Sequence, residues 1–140
     1  MTQFVTRAFR FELPGDDWDE LTVQLYSRTR DDDSTLFAIA RTPLRDGGGV
    51  DAEEIVQKLP PRPDVEREIV RSERVEVGPQ EAHDVSVVSR SLRSAEYFRI
   101  VCVAYYDLEL TFQWTGPVAE RGAIDARADR TLESLKFRRR

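Results

Sequence analysis

The sequence is poor in the residues that most often carry chemistry. Its 140 residues include one cysteine, Cys102, and one histidine, His83. A single cysteine excludes an internal disulfide and points to a reducing compartment. One cysteine and one histidine cannot supply a usual zinc site, and a cysteine–histidine dyad would have to use this pair. Lysine is nearly missing: of 21 basic residues only Lys58 and Lys136 are lysines. With 26 acidic residues the net charge is −5. Phosphate backbones are bound through Lys and Arg that release counterions, so no nucleic-acid partner is expected. Long hydrophobic runs are lacking as well. The longest, Ile100 to Tyr106, is too short to span a bilayer. The opening residues carry Arg7 and Arg10 where a secretory signal needs an apolar stretch. These absences predict a cytoplasmic protein that does not itself insert into membranes.

What is present describes one globular domain over residues 1–140. Apolar residues make up 40% and charged residues 34%, too apolar for a disordered chain and well mixed for a soluble one. Alternation at Phe9, Phe11 and Leu13 predicts a strand over Phe4 to Leu13, ended by the turn at Pro14-Gly15. Leu21, Val23 and Leu25 alternate with polar neighbours in a second strand. Arg30 to Ser34 reads as a charged turn, and Thr35 to Arg41 as a third strand stopped by Pro43. Gly47 to Gly49 form a connector. Asp51 to Leu59 reads as a short helix with Asp51 as N-cap, and Pro60, Pro61 and Pro63 end it. Four strands follow: Glu66 to Val77, Ala82 to Leu92, Tyr97 to Tyr106 and Leu110 to Trp114. Tyr97 to Tyr106 is apolar on both faces, as a central strand would be. Pro117 opens a last helix, whose apolar face is Ile124, Ala128, Leu132 and Leu135. Arg138 to Arg140 sit at its negative end. The order βββαββββα with hairpin-length turns predicts an α+β fold: a curved, mainly antiparallel sheet of about six to seven strands flanked by two helices.

No catalytic constellation emerges. The glycine triplet lacks the Lys and Ser/Thr of a phosphate loop. Asp31 to Asp33 lack the alternate spacing of a calcium loop. His83 and Asp84 are strand neighbours, so they point to opposite faces. Ser86, Ser89 and Ser91 have no nucleophile elbow around them. Cys102 sits in the most apolar strand, where a thiol behaves as a small hydrophobe. Neither enzyme activity, cofactor nor metal is expected.

The sheet instead has more apolar positions than one core needs. If Asp107-Leu108 is a two-residue turn, Tyr106 pairs with Glu109, Tyr105 with Leu110, Val103 with Phe112 and Val101 with Trp114. One face then holds Val101, Val103, Tyr105, Leu110, Phe112 and Trp114, a full core. The other holds Phe98, Ile100, Cys102, Ala104 and Tyr106 beside Thr111 and Gln113. Either the first helix and the proline loop pack this second face, or it is a shallow apolar groove for another chain.

The opening Phe11-Glu-Leu-Pro-Gly-Asp-Asp-Trp18, followed by Glu20, Thr22, Val23 and Tyr26, resembles the DcrB-related family. So does Phe37-Ala-Ile-Ala-Arg41-Thr-Pro-Leu44, an apolar strand closed by Arg-x-x-Leu. The turn from Val75 to Gly78 and the closing order of strands and helix are similar too. The resemblance implies a fold like that of PsbP and the Mog proteins. With no signal segment or lipidation cysteine, the chain looks most like the cytoplasmic branch, the Eag chaperones of type VI secretion. Those are homodimers that cradle apolar N-terminal transmembrane segments of PAAR or Rhs effectors. The implied partners are therefore a secreted effector with such a segment and a second copy of the chain. The family pattern places Val23, Leu25, Phe37 and Ile39 in the cradle. Strand pairing adds Ile100, Cys102 and Ala104. A general protein-interaction module and a small-ligand carrier of the same fold are the alternatives.

Overall fold

The computed structural model describes residues 3–5, 10–12, 22–27, 36–43, 52–57, 59 and 62–137. The predicted turns at Pro14-Gly15 and Arg30 to Ser34, the Gly47 to Gly49 connector, the Asp51 cap and Arg138 to Arg140 lie outside these residues. The fold is α+β, with an antiparallel sheet and two helices.

The expected first strand is two strands, β1 (Gln3–Val5) and β2 (Arg10–Glu12), which pair with each other in a small sheet of their own. The order is thus four strands, a helix, four strands and a helix. The main sheet contains β3 (Thr22–Ser27), β4 (Leu36–Pro43), β5 (Glu66–Val77), β6 (Gln80–Arg90), β7 (Ala95–Tyr105) and β8 (Leu108–Pro117). Its spatial order is β3-β4-β8-β7-β6-β5, and every pairing is antiparallel. β5 to β8 form a meander of hairpins, so local turns specify most of the sheet. β4 and β8 are neighbours in space but far apart in sequence. To reach the β5 edge from β4 the chain must cross four strand spacings, about 19 Å. Helix α1 (Ala52–Gln57) rides that crossing and so covers one face of the sheet. Helix α2 (Arg121–Ser134), entered through Pro117 and a short turn at Val118–Glu120, covers the other.

Each face has its own core. On the front, Ile124 and Ala128 of α2 are fully buried with Val101, Val103, Phe112 and Trp114. On the back, Ile55 and Leu59 are buried with Val85, Val87, Phe98, Ile100 and Cys102. β7 therefore is a strand buried on both faces, as its apolar run, broken only by Arg99 between Tyr97 and Tyr105, requires. The β7–β8 register corrects the expected one. Tyr105 pairs with Leu108 and Val101 with Phe112, so Tyr106-Asp107 is the turn. Tyr106 adopts a positive φ of 54° there, the conformation a primed hairpin turn needs. The slip is two residues. Side chains alternate with period two, so every strand residue stays on its assigned face, and only Tyr106, expected on the second face, leaves it for the turn.

Candidate binding groove

Strand register composes the back face row by row. One row runs Leu25, Ala38, Gln113, Ile100, Val85 from β3 to β6. The next runs Val23, Ala40, Thr111, Cys102, His83, and a third joins Thr42, Glu109 and Ala104. The face is a step. Above β6 and β7 it is covered by α1 through Ile55 and Leu59, so the expectation that the first helix packs this face holds for that half. Over β8 and β4 the floor is made of small or short polar side chains. Ala38, Ala40, Thr111 and Gln113 are all partly exposed. At the step lies a cavity of about 60 Å³ lined by Ile55, Leu59, Ile100, Cys102, Glu109, Thr111 and Gln113.

The polar atoms of the floor bond among themselves. Gln113 Nε2 donates to Thr115 Oγ1 at 3.2 Å, and Cys102 Sγ lies 3.8 Å from Thr111 Oγ1. His83 stands opposite Cys102, and its Nε2 is 2.8 Å from Ser72 Oγ. From β7 to β3 the floor spans three strand spacings, about 14 Å, and an α-helix with side chains is about 10–12 Å across. β4 is eight residues long, about 26 Å at the usual rise. An alanine floor lets a helix backbone come close, as small residues do between packed helices.

The seven residues proposed from sequence do not form one surface. Ile100 and Cys102 line the cavity. Ala104 lies on the same face one row further, and Val23 and Leu25 register into the rows of Cys102 and Ile100. Phe37 and Ile39 belong to the opposite face: Phe37 stacks on Trp114 at 4.7 Å and 11°, and Ile39 packs into the front core. The reason is parity. Val23 stands opposite Ala40 and Leu25 opposite Ala38 in register, so the β4 residues level with them are Ala38 and Ala40 rather than Phe37 and Ile39. Ala38 and Ala40 are the β4 residues that the groove uses, and sequence reasoning passed over them.

Sequence reasoning also missed a buried ionic network on the front face. Arg99 of β7 is 2% exposed. Its Nε and Nη2 donate to the two carboxylate oxygens of Asp84 on β6 at 2.8 and 2.7 Å. Its Nη1 and Nη2 also reach Asp125 (3.2 Å) and Asp129 (3.0 Å) of α2. Burial works against the Arg99 charge, but the hydrogen bonds and charge of Asp84, with the bonds to Asp129 and Asp125, outweigh it, so its pKa lies above the ordinary arginine value. Tyr97 Oη lies 2.7 Å from Asp125 Oδ1 and 3.0 Å from Ser86 Oγ. Burial raises the Tyr97 pKa, the Ser86 bond opposes that, and the Asp125 carboxylate adds to the rise. The Arg121 guanidinium covers the Tyr97 ring at 5.0 Å. The network clamps α2 to the sheet. Its signal was available: Arg99 is the lone charge within β7's apolar run, and Asp125 and Asp129 fall on one face of a helix at spacing four.

No family model and no curated protein matches the sequence. Among solved structures the fold is similar to that of PA94 from Pseudomonas aeruginosa, a protein of unknown function provisionally labelled a regulator. The TM-score is 0.68 at 14% identity, over 100% of this chain and 99% of that one. At that identity the likeness concerns the fold alone. Among the described residues no helix is long and apolar enough to cross a membrane.

Proposed function

We propose that this protein is a non-enzymatic, cytoplasmic chaperone or adaptor whose back face shelters an apolar helical segment of another protein. The observation that carries the reading is the stepped back face: an alanine-floored strip beside a short helix, with a cavity at the junction. A client helix about 30 Å long, laid along a strip about 10 Å wide, would bury roughly 300 Å². At ~25 cal/mol per Å² that is about 7 kcal/mol before the cost of association. Such a site holds a client reversibly, as a chaperone must, and needs no catalytic group. A segment of ~20 apolar residues is the chemistry that most needs this shelter in water.

The DcrB-related resemblance refines the reading to the Eag-type role within a PsbP/Mog-like fold. The client is then the apolar N-terminal segment of a type VI secretion effector of PAAR or Rhs type, and the working form is a homodimer. A small-ligand carrier is less well supported. Among the described residues, the cavity at the step, about 60 Å³, falls well short of the ~300–1,000 Å³ of ordinary ligand sites. Coexpression with such an effector should keep the effector soluble, and a pull-down should recover its N-terminal segment. Effector solubility that is indifferent to this protein would end the proposal. Deleting the apolar segment should abolish recovery, whereas an interaction module for folded partners would still bind.

A further inference from the structure

The two helices are attached to the sheet in different ways. α2 is clamped by Arg99 to Asp125 and Asp129 and carries the fully buried Ile124 and Ala128. α1 is six residues long, well below the length at which a helix holds itself in water. Among the described residues its grip on the sheet centres on an apolar pair four residues apart, Ile55 within it and Leu59 just past its end, 4% and 5% exposed, with Ala52 and Val56 partly buried beside them. The hydrogen bond from Arg67 Nη1 to Leu59 O is long, 3.5 Å. The fit beneath this pair is incomplete, since both residues border the cavity. Yet the surface under α1 (Val85, Val87, Phe98, Ile100 and Cys102) is the most apolar part of the back face. The open strip beside it is alanine, threonine and glutamine.

We propose that α1 is a jaw: a tethered stand-in for part of the client, which lifts from the floor at Ile100 and Cys102 so that an apolar helix seated on the adjoining alanine strip can spread onto the surface α1 leaves. This rests on reading the back face as the binding face; the lifting itself does not. A cover that competes with the client lowers apparent affinity by the fraction of molecules that are open. Weakening the cover should therefore strengthen binding, whereas weakening a simple groove wall should weaken it.

Cys102 is the chain's one cysteine and lies under the jaw at 7% exposure, so it reports the opening. The experiment measures Cys102 labelling by 5,5′-dithiobis(2-nitrobenzoate) in native buffer, together with the affinity of a lysine-flanked, 20-residue Leu/Ala helical peptide. Three proteins are compared: wild type, Ile55→Ala, and Ile124→Ala as a global destabilisation that leaves α1 alone. We expect Ile55→Ala to label about tenfold faster or more and to bind the peptide tighter by a similar factor, with Ile124→Ala like wild type in both. Labelling unchanged by Ile55→Ala, or raised equally by Ile124→Ala, would overturn the jaw, as would weaker peptide binding by Ile55→Ala. Faster labelling with no peptide binding by any of the three would overturn the jaw as a client gate and place the failure in the binding-face reading rather than in α1 opening.

Discussion

Replacing Arg99 by methionine tests the front-face network quantitatively. In the wild type both oxygens of Asp84 are engaged by Arg99, and the Asp84 side chain is 4% exposed. After Arg99→Met the nearest cation to Asp84 is Arg71, whose Nη2 stands 3.7 Å away. Removing one partner of a buried pair costs about 3–5 kcal/mol. Two features favour the lower end. Arg71 remains, and Asp125 and Asp129 have side chains 31% and 58% exposed, so water can reclaim them. The expected loss is about 3 kcal/mol, roughly a 10 °C fall in Tm for a chain of this size. The double variant Arg99→Met/Asp84→Leu removes both buried charges and should return to within about 1 kcal/mol of wild type. Urea unfolding followed by tryptophan fluorescence is the assay, since Trp114 is buried against Phe37 and Phe112. An Arg99→Met loss of less than about 1 kcal/mol, or a double variant no more stable than the single, would refute a buried ionic clamp.

Other expectations follow from single positions. Tyr97 has a folded pKa above its unfolded one, so its share of stability is complete below about pH 10 and disappears as pH rises through the folded value. Urea midpoints between pH 9 and 11.5 should fall less steeply for Tyr97→Phe than for wild type. Gly78 has φ +59°, and an added Cβ would meet Phe137 only at an ordinary 3.8 Å. Gly78→Ala should therefore cost the backbone term alone, about 1–2 kcal/mol in thermal or urea unfolding. Tyr106→Gly, at the matching positive φ of the β7–β8 turn, should instead be neutral to about 1 kcal/mol stabilising.

Much of the fold was legible because it is local. The hairpins from Glu66 to Pro117 alternate in period two, and their faces survived a two-residue error in the β7–β8 turn. The α2 stripe of Ile124 and Ala128 was plain from spacing. What was not legible is non-local or depends on loop length. Pairing of β4 with β8 joins residues such as Ile39 and Phe112, and nothing in either strand names the other. The β3–β4 register decides whether Phe37 or Ala38 faces the groove, and a one-residue difference exchanges them. The pairing of β1 with β2 was hidden because Phe9, Phe11 and Leu13 read in sequence as one continued alternation. Arg99 was passed over because a charge in an apolar run identifies no partner until the helix carrying Asp125 and Asp129 is placed above it.

The central claim is that the alanine-floored strip of the back face receives an apolar helix. Fluorescence anisotropy of a labelled helical peptide of that kind, titrated with wild type and with Ala40→Trp, tests it most directly, with a front-face surface variant, Asp129→Asn, as control. An alanine-floored seat predicts saturable binding by wild type and the control, and at least about tenfold weaker binding when tryptophan fills the floor. Equal affinity for wild type and Ala40→Trp would contradict it.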